Sequence, residues 1–305
     1  MENNKESLTA LVSCFARGYH ALQSKNPIFN DTLALSLIKE DEQELIATNW
    51  ANAYHFFHPE PSNAPLTTDE KLSWVMNTQC IPQLVSRSRY AEDQLISAIK
   101  RGIKQYVILG AGMDTFAYRQ ENLPEDFMIY EVDHPATQQF KQQRLKEMGI
   151  LIPENVKFVP VDFTHRSLQH ELMKHGFNKD AFSYFSILGV VMYLNKPDFF
   201  KLLSTIAEIA PNGSSVVFDY LDNDAFNDDC ASDKIMKMRQ ITAATGEHII
   251  TGFDPLTLDI ELQNSQMLLY ENLSPEQIED MFFSTREDEM HAFDHFHFAH
   301  LAIRK

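Results

Sequence analysis

The residues whose types and spacing suggest chemistry are two glycines and an acid further along the chain. Gly110-Ala111-Gly112-Met113-Asp114-Thr115 follows the apolar run Tyr106-Val107-Ile108-Leu109. Glycine lets a backbone turn tightly and approach a ligand with no Cβ in the way. Asp133 stands 21 positions past Gly112, closing the run Phe127 to Asp133. An acid at about that distance can accept hydrogen bonds from the hydroxyls of a ribose. A dinucleotide fingerprint needs a third glycine where Thr115 stands, because there a helix must come close to a pyrophosphate. The pattern therefore suits a nucleoside without phosphates better than NAD. A plain strand–helix turn with a solvated aspartate would show the same letters, so the surrounding elements decide how much weight it bears.

Those elements alternate. Short apolar runs end at Gly110, at Asp133, at Asp162 (Val156 to Val161), at Gly189 (Phe182 to Leu188) and at Asp219 (Ser215 to Phe218). Helical stretches separate them, one stopping at Lys100-Arg101-Gly102 and one running from Pro135 to Gly149. Five strands interleaved with helices predict a parallel sheet with right-handed crossovers, hence a doubly wound, Rossmann-like α/β fold. In such sheets ligands lie beyond the carboxyl ends of the strands, where these glycines and aspartates fall. The first 85 or so residues show helical spacing without a strand signal, as at Leu8, Leu11, Phe15, Tyr19 and Leu22. They read as a helical cap on a core of residues 86–305, with 1–305 a single domain. Gln266 to Tyr270 and Phe296 to Ile303 are expected as edge strands, the last antiparallel, with a helix opening at Ser274-Pro275.

Composition narrows the partners. The 305 residues carry 43 acidic and 26 basic side chains, a formal net charge of -17. That balance disfavours phosphate backbones, which are bound by presenting Lys and Arg, and anionic membrane surfaces likewise. No apolar run approaches the ~20 residues of a membrane span. Three scattered cysteines, Cys14, Cys80 and Cys230, suggest neither disulfides nor zinc, and the expected location is cytoplasmic.

The segment Ser86-Arg87-Ser88-Arg89-Tyr90-Ala91-Glu92-Asp93, followed by Gln105 to Arg119, resembles the leucine carboxyl methyltransferase family. Glu131 to Pro135 and Val161-Asp162-Phe163 fall in that family's order, and the likeness runs from about Leu8 to Leu194. The resemblance implies a seven-stranded methyltransferase sheet and S-adenosylmethionine as cofactor. It implies that Arg87 clamps the methionine carboxylate and that Gly110, Ala111 and Gly112 pass under the methionine and ribose. Asp133 would hold the ribose hydroxyls, and Asp162 and Phe163 the adenine edge. Where the family commonly has a glutamate beside the cofactor, this chain has Leu188.

The resemblance leaves the acceptor open: a carboxylate of a small metabolite or of a protein C-terminus, with a hydroxyl second. A carboxylate is ionised at neutral pH and needs no base. A hydroxyl would need one, for which His20 and Tyr193 are the candidates. A cofactor-binding protein without activity, and a nicotinamide oxidoreductase, are the competing readings. His291, His295, His297 and His300 are expected to be partly exposed strand histidines, with no metal bound. The six aspartates from Asp219 to Asp233 read as a solvated loop.

Overall fold

The computed structural model describes residues 8–59, 65–120, 122–162 and 167–305. Among the described residues up to Lys100 the elements are helical, chiefly α1 (Leu8–Gln23), α2 (Glu40–Asn52), α3 (Tyr54–Phe57), α4 (Thr68–Val75) and α5 (Ile81–Lys100). Thr67 and Glu70 form a capping box at the start of α4, satisfying backbone N–H groups that a helix start leaves open. A π-helical turn, Met76–Cys80, joins α4 to α5. Pro82 stands in the first turn of α5, where a missing N–H costs nothing.

The alternating section then builds β1 (Gln105–Leu109), α6 (Phe116–Arg119), β2 (Met128–Asp133), α7 (Pro135–Glu147), β3 (Val156–Pro160), α8 (Leu168–Lys174), β4 (Ser183–Ile187), α9 (Lys196–Ile209) and β5 (Ser215–Asp222). After it come α10 (Asp233–Ala244), β6 (Gly252–Phe253), α11 (Leu258–Leu262), β7 (Met267–Leu273), α12 (Pro275–Phe282) and β8 (Phe296–Ile303). The sheet order is β3-β2-β1-β4-β5-β8-β7, with the short β6 added beside β5. The first five strands are parallel, and β8 lies antiparallel between β5 and β7. This is the predicted doubly wound sheet with its antiparallel last strand.

Side chains alternate across β1. Tyr106 and Ile108 join the core shared with α1, α5 and α7, while Val107 and Leu109 join the core under α8 and α9. A parallel sheet covered on both faces must be apolar throughout, which is why these strands read as unbroken apolar runs. One boundary differs from expectation. β5 runs past Asp219 to Asp222 because it pairs with β8 from Ser215↔Ala302 to Leu221↔Phe296. No helix among the described residues is long and apolar enough to cross a membrane.

Candidate cofactor and acceptor site

The strand order reverses between β1 and β4, and the site is built where their carboxyl ends meet. Gly110 and Gly112 have φ of +75° and +48°, in the left-handed region that favours glycine. A Cβ on Gly110 would also lie 2.4 Å from Cγ2 of Val190 in the loop after β4. Both carboxylate oxygens of Asp133 hold this turn in place: Oδ2 accepts from the Gly112 N–H and Oδ1 from the His134 N–H, each at 2.6 Å. Burial pushes the Asp133 carboxyl up, and the two N–H donors oppose that shift. A carboxylate has about four acceptor positions, so these bonds leave capacity for a ligand's hydroxyls. Glycine turn and acid thus lie side by side at the carboxyl ends of β1 and β2. Ala111 is buried inside the turn, and Asp162 follows the end of β3, half-buried. Phe163 lies outside the described residues.

Arg87 reaches the same rim from α5. Its Nη1 lies 3.0 Å from Oδ2 of Asp219, which is fully buried. Gln83 donates to the same oxygen at 3.2 Å, and the Gly189 N–H to Oδ1 at 2.6 Å. Gly189, at φ +67°, leaves the space the guanidinium fills: a Cβ there would lie 2.5 Å from Nη2. The aspartate expected at the head of a solvated loop is therefore the buried counterion of Arg87. Leu188, the residue before Gly189, is half-buried and packs against the core.

The cap is tied to the glycine loop by a buried network that the sequence did not reveal. Arg17 of α1 donates through Nε to Asp31 at 2.9 Å and through Nη2 to the Met113 carbonyl at 2.7 Å. The Thr115 hydroxyl donates to Asp31 at 2.7 Å, and Arg119 Nε donates to that hydroxyl at 2.9 Å. Arg119 also pairs with Glu92 of α5. Thr115 thus stands in the place of a fingerprint glycine because its hydroxyl links loop to cap. Burial pushes the Asp31 carboxyl up, but Arg17 and Arg119 overcome this and hold it below the usual carboxylate range.

Beyond the Arg87–Gly189 rim lies a chamber of about 410 Å³. Trp50 of α2 and Phe57 of α3 wall it on the cap side, with Ile241 and Met238 of α10 opposite. No histidine or carboxylate lines it among the described residues; its ionisable groups are Cys80, Arg87, Tyr193 and Lys234. Burial pushes the Cys80 thiol and the Tyr193 phenol up, each to about 12, so both stay protonated at neutral pH. Of the two candidate bases, Tyr193 is in the chamber and His20 is not. The His20 ring accepts the Ile28 N–H through Nε2 at 2.9 Å, and burial pushes it down to about 4. Two of the C-terminal histidines are buried rather than partly exposed, His297 and His300. His295 and His297 both bond Asp222, at 2.9 and 3.4 Å.

A doubly wound sheet with a glycine turn, an acid after the second strand and a chamber beyond the switch point is the frame of a nucleoside-binding enzyme, and the relatives make this chain an S-adenosylmethionine-dependent methyltransferase. The sequence pattern of the leucine carboxyl methyltransferase family matches residues 10–207, and the chain belongs to that family. YktD of Bacillus subtilis (strain 168), named for S-adenosyl-L-methionine-dependent methyl transfer, is 40% identical over the full length of both chains. A Mycobacterium bovis protein named for the same activity is 25% identical over 75% of this chain and 70% of its own. In fold the chain is similar to a Thermobifida fusca protein assigned to the methyltransferases (TM-score 0.50, 13% identity, 84% of this chain and 94% of that one). A DUF574 family protein of Streptomyces avermitilis gives a TM-score of 0.51 at 13% identity, over 84% and 97% of the two chains.

Proposed function

We propose that this methyltransferase esterifies a carboxylate of a small, largely apolar acceptor held in the chamber beside Arg87 and Gly189. One observation carries the reading: the lining offers cations and apolar surface, while its thiol and phenol are held protonated. An anionic acceptor suits that environment and needs no base; a neutral hydroxyl would need one. The volume falls in the range of sites for small ligands. Such an acceptor calls for neither nucleic acid nor a membrane.

On the cofactor side, Asp133 and the Gly110–Gly112 turn would hold the nucleoside, Asp162 and Phe163 its base, and Arg87 the amino-acid end. When bound, S-adenosylmethionine supplies an electrophilic methyl group, whose transfer to a carboxylate oxygen gives a neutral ester and a neutral thioether and releases no proton. The protein's part is to orient the acceptor and keep water out; orientation is worth ~7–11 kcal/mol in favourable cases.

The test uses cofactor carrying a labelled methyl group and an extract of small molecules. A carboxyl ester hydrolyses in alkali and releases the label as volatile methanol, whereas a methyl ether keeps it. Base-labile, volatile label is expected; base-stable product would replace the carboxylate with a hydroxyl.

A further inference from the structure

The chamber's two cations are held very differently. Arg87, on α5 at the cradle rim, is paired with Asp219 at 3.0 Å. Lys234, on α10, has its ammonium over the Phe293 ring, 4.4 Å from the centroid, and among the described residues that ring face is its one contact of a polar or ionic kind. The acids whose charge reaches it are Asp294 and Glu279. Asp294 is exposed, and Glu279 is already engaged by the His291 ring and the Ala292 N–H. An ammonium has three donors. Those of Lys234 border the chamber with no hydrogen bond or ion pair among the described residues, and burial pushes its proton affinity down. A half-buried ammonium so placed keeps donors open to an anion.

The two cations enter the chamber from different elements, Arg87 from α5 and Lys234 from α10. The same lining carries the apolar side chains of Trp50, Met238 and Ile241. The Lys234 wall lies outside residues 10–207, the stretch that matches the family.

We propose, resting on the carboxylate reading above, that Lys234 is a specificity-determining residue that receives a second acidic group of the acceptor, making the substrate an elongated apolar molecule with an acid at each end. One acid faces the cradle and is esterified. The other pairs with Lys234, sets the depth at which the molecule sits, and leaves the product as a singly charged half-ester.

The experiment uses the full chain with S-adenosylmethionine. Straight-chain α,ω-dicarboxylates from adipate to dodecanedioate are compared with the matching monoacids from hexanoate to dodecanoate, for wild type, Lys234→Ala and Lys234→Arg. At the best chain length, wild type is expected to show a KM for the diacid about ten-fold or more below that for the monoacid. Lys234→Ala should erase that preference through KM, with kcat for the diacid within about two-fold of wild type, and Lys234→Arg should restore most of it. Equal KM values for diacid and monoacid in wild type, or a preference untouched in Lys234→Ala, would overturn the anchor and leave carboxyl methylation standing. Lys234→Arg as impaired as Lys234→Ala would also overturn it, because arginine keeps the charge but cannot serve as a base. If no acid in either series accepts a methyl group while the protein still binds adenosylhomocysteine, the carboxylate reading fails and the anchor with it. Matching melting temperatures with adenosylhomocysteine bound check that the variants are folded.

Discussion

The cradle and the chamber share a rim but are made of different things. The cradle is backbone: a turn that needs positive φ at Gly110 and Gly112, two N–H groups aimed at Asp133, and strand ends fixed by the register of a parallel sheet. The chamber is side chains contributed by elements far apart in sequence, from Trp50 in the cap to Ile241 in α10. A backbone device depends on few residue identities, whereas a wall of side chains changes with every substitution in it. The family match ends at residue 207, short of α10 and of Phe293.

The largest expected effect comes from cutting the link between the cradle and the cap helices that wall the chamber. Asp31 is fully buried between Arg17 and Arg119 and takes the Thr115 hydroxyl. Asp31→Ala leaves two guanidinium groups without their shared counterion, for which about 3–5 kcal/mol of stability is expected to be lost. Urea denaturation of wild type and variant measures this. A loss under about 1 kcal/mol, the range of an exposed ion pair, would mean that cap and cradle stand independently.

Next in size is the cradle's own acid. Asp133→Ala removes the acceptor of the Gly112 and His134 N–H groups and, on the proposed geometry, of the ribose hydroxyls. Charge-assisted hydrogen bonds are worth roughly 1.5–3 kcal/mol each, so adenosylhomocysteine binding should weaken by about 100-fold. Calorimetric titration reads this directly. Unchanged affinity would place the nucleoside elsewhere.

Much of this comparison was legible in the sequence, and unevenly so. β1 and its turn could be read because a fully buried strand must be apolar and its exit must be glycine. The end of β5 could not: Asp219 and Asp222 look like loop residues, and Asp219 is buried because Arg87, 132 positions earlier, neutralises it. Thr115 was read as a missing glycine, while its partner Asp31 lies 84 positions away. The Lys234 wall escaped for the same reason. Of α10, Ile235 alone is buried, so no apolar stripe marks it as a chamber wall. Contacts set by neighbours in sequence leave a pattern; contacts set by folding leave single letters.

Stability should also depend on pH through His20. Its folded-state pKa, lowered by burial to about 4 from 6.5, keeps the ring neutral and accepting the Ile28 N–H. A depressed pKa contributes stability that is present above 6.5 and is lost as pH falls towards 4, because the unfolded chain takes the proton first. Between pH 7 and pH 5 this amounts to about 2 kcal/mol. In His20→Gln, which keeps an acceptor but does not titrate, stability should fall by about that much less over the same interval. Denaturation curves at the two pH values for both proteins decide it; parallel changes would show that His20 is open to water.

The smallest effect is expected at Leu188, where the family's glutamate is absent. Leu188 packs against the core, and the Gly189 N–H after it is bound by Asp219, which also holds Arg87. Arg87 therefore already has a carboxylate, supplied from β5. Leu188→Glu would give up apolar packing and set a second acid near an occupied guanidinium, so neither gain nor loss is large. Adenosylhomocysteine affinity is expected to stay within about three-fold of wild type, roughly 0.6 kcal/mol. Tightening of ten-fold or more would show that position 188 faces the cofactor and that the cradle, for all its backbone construction, depends on one more side chain than its turn and acid supply.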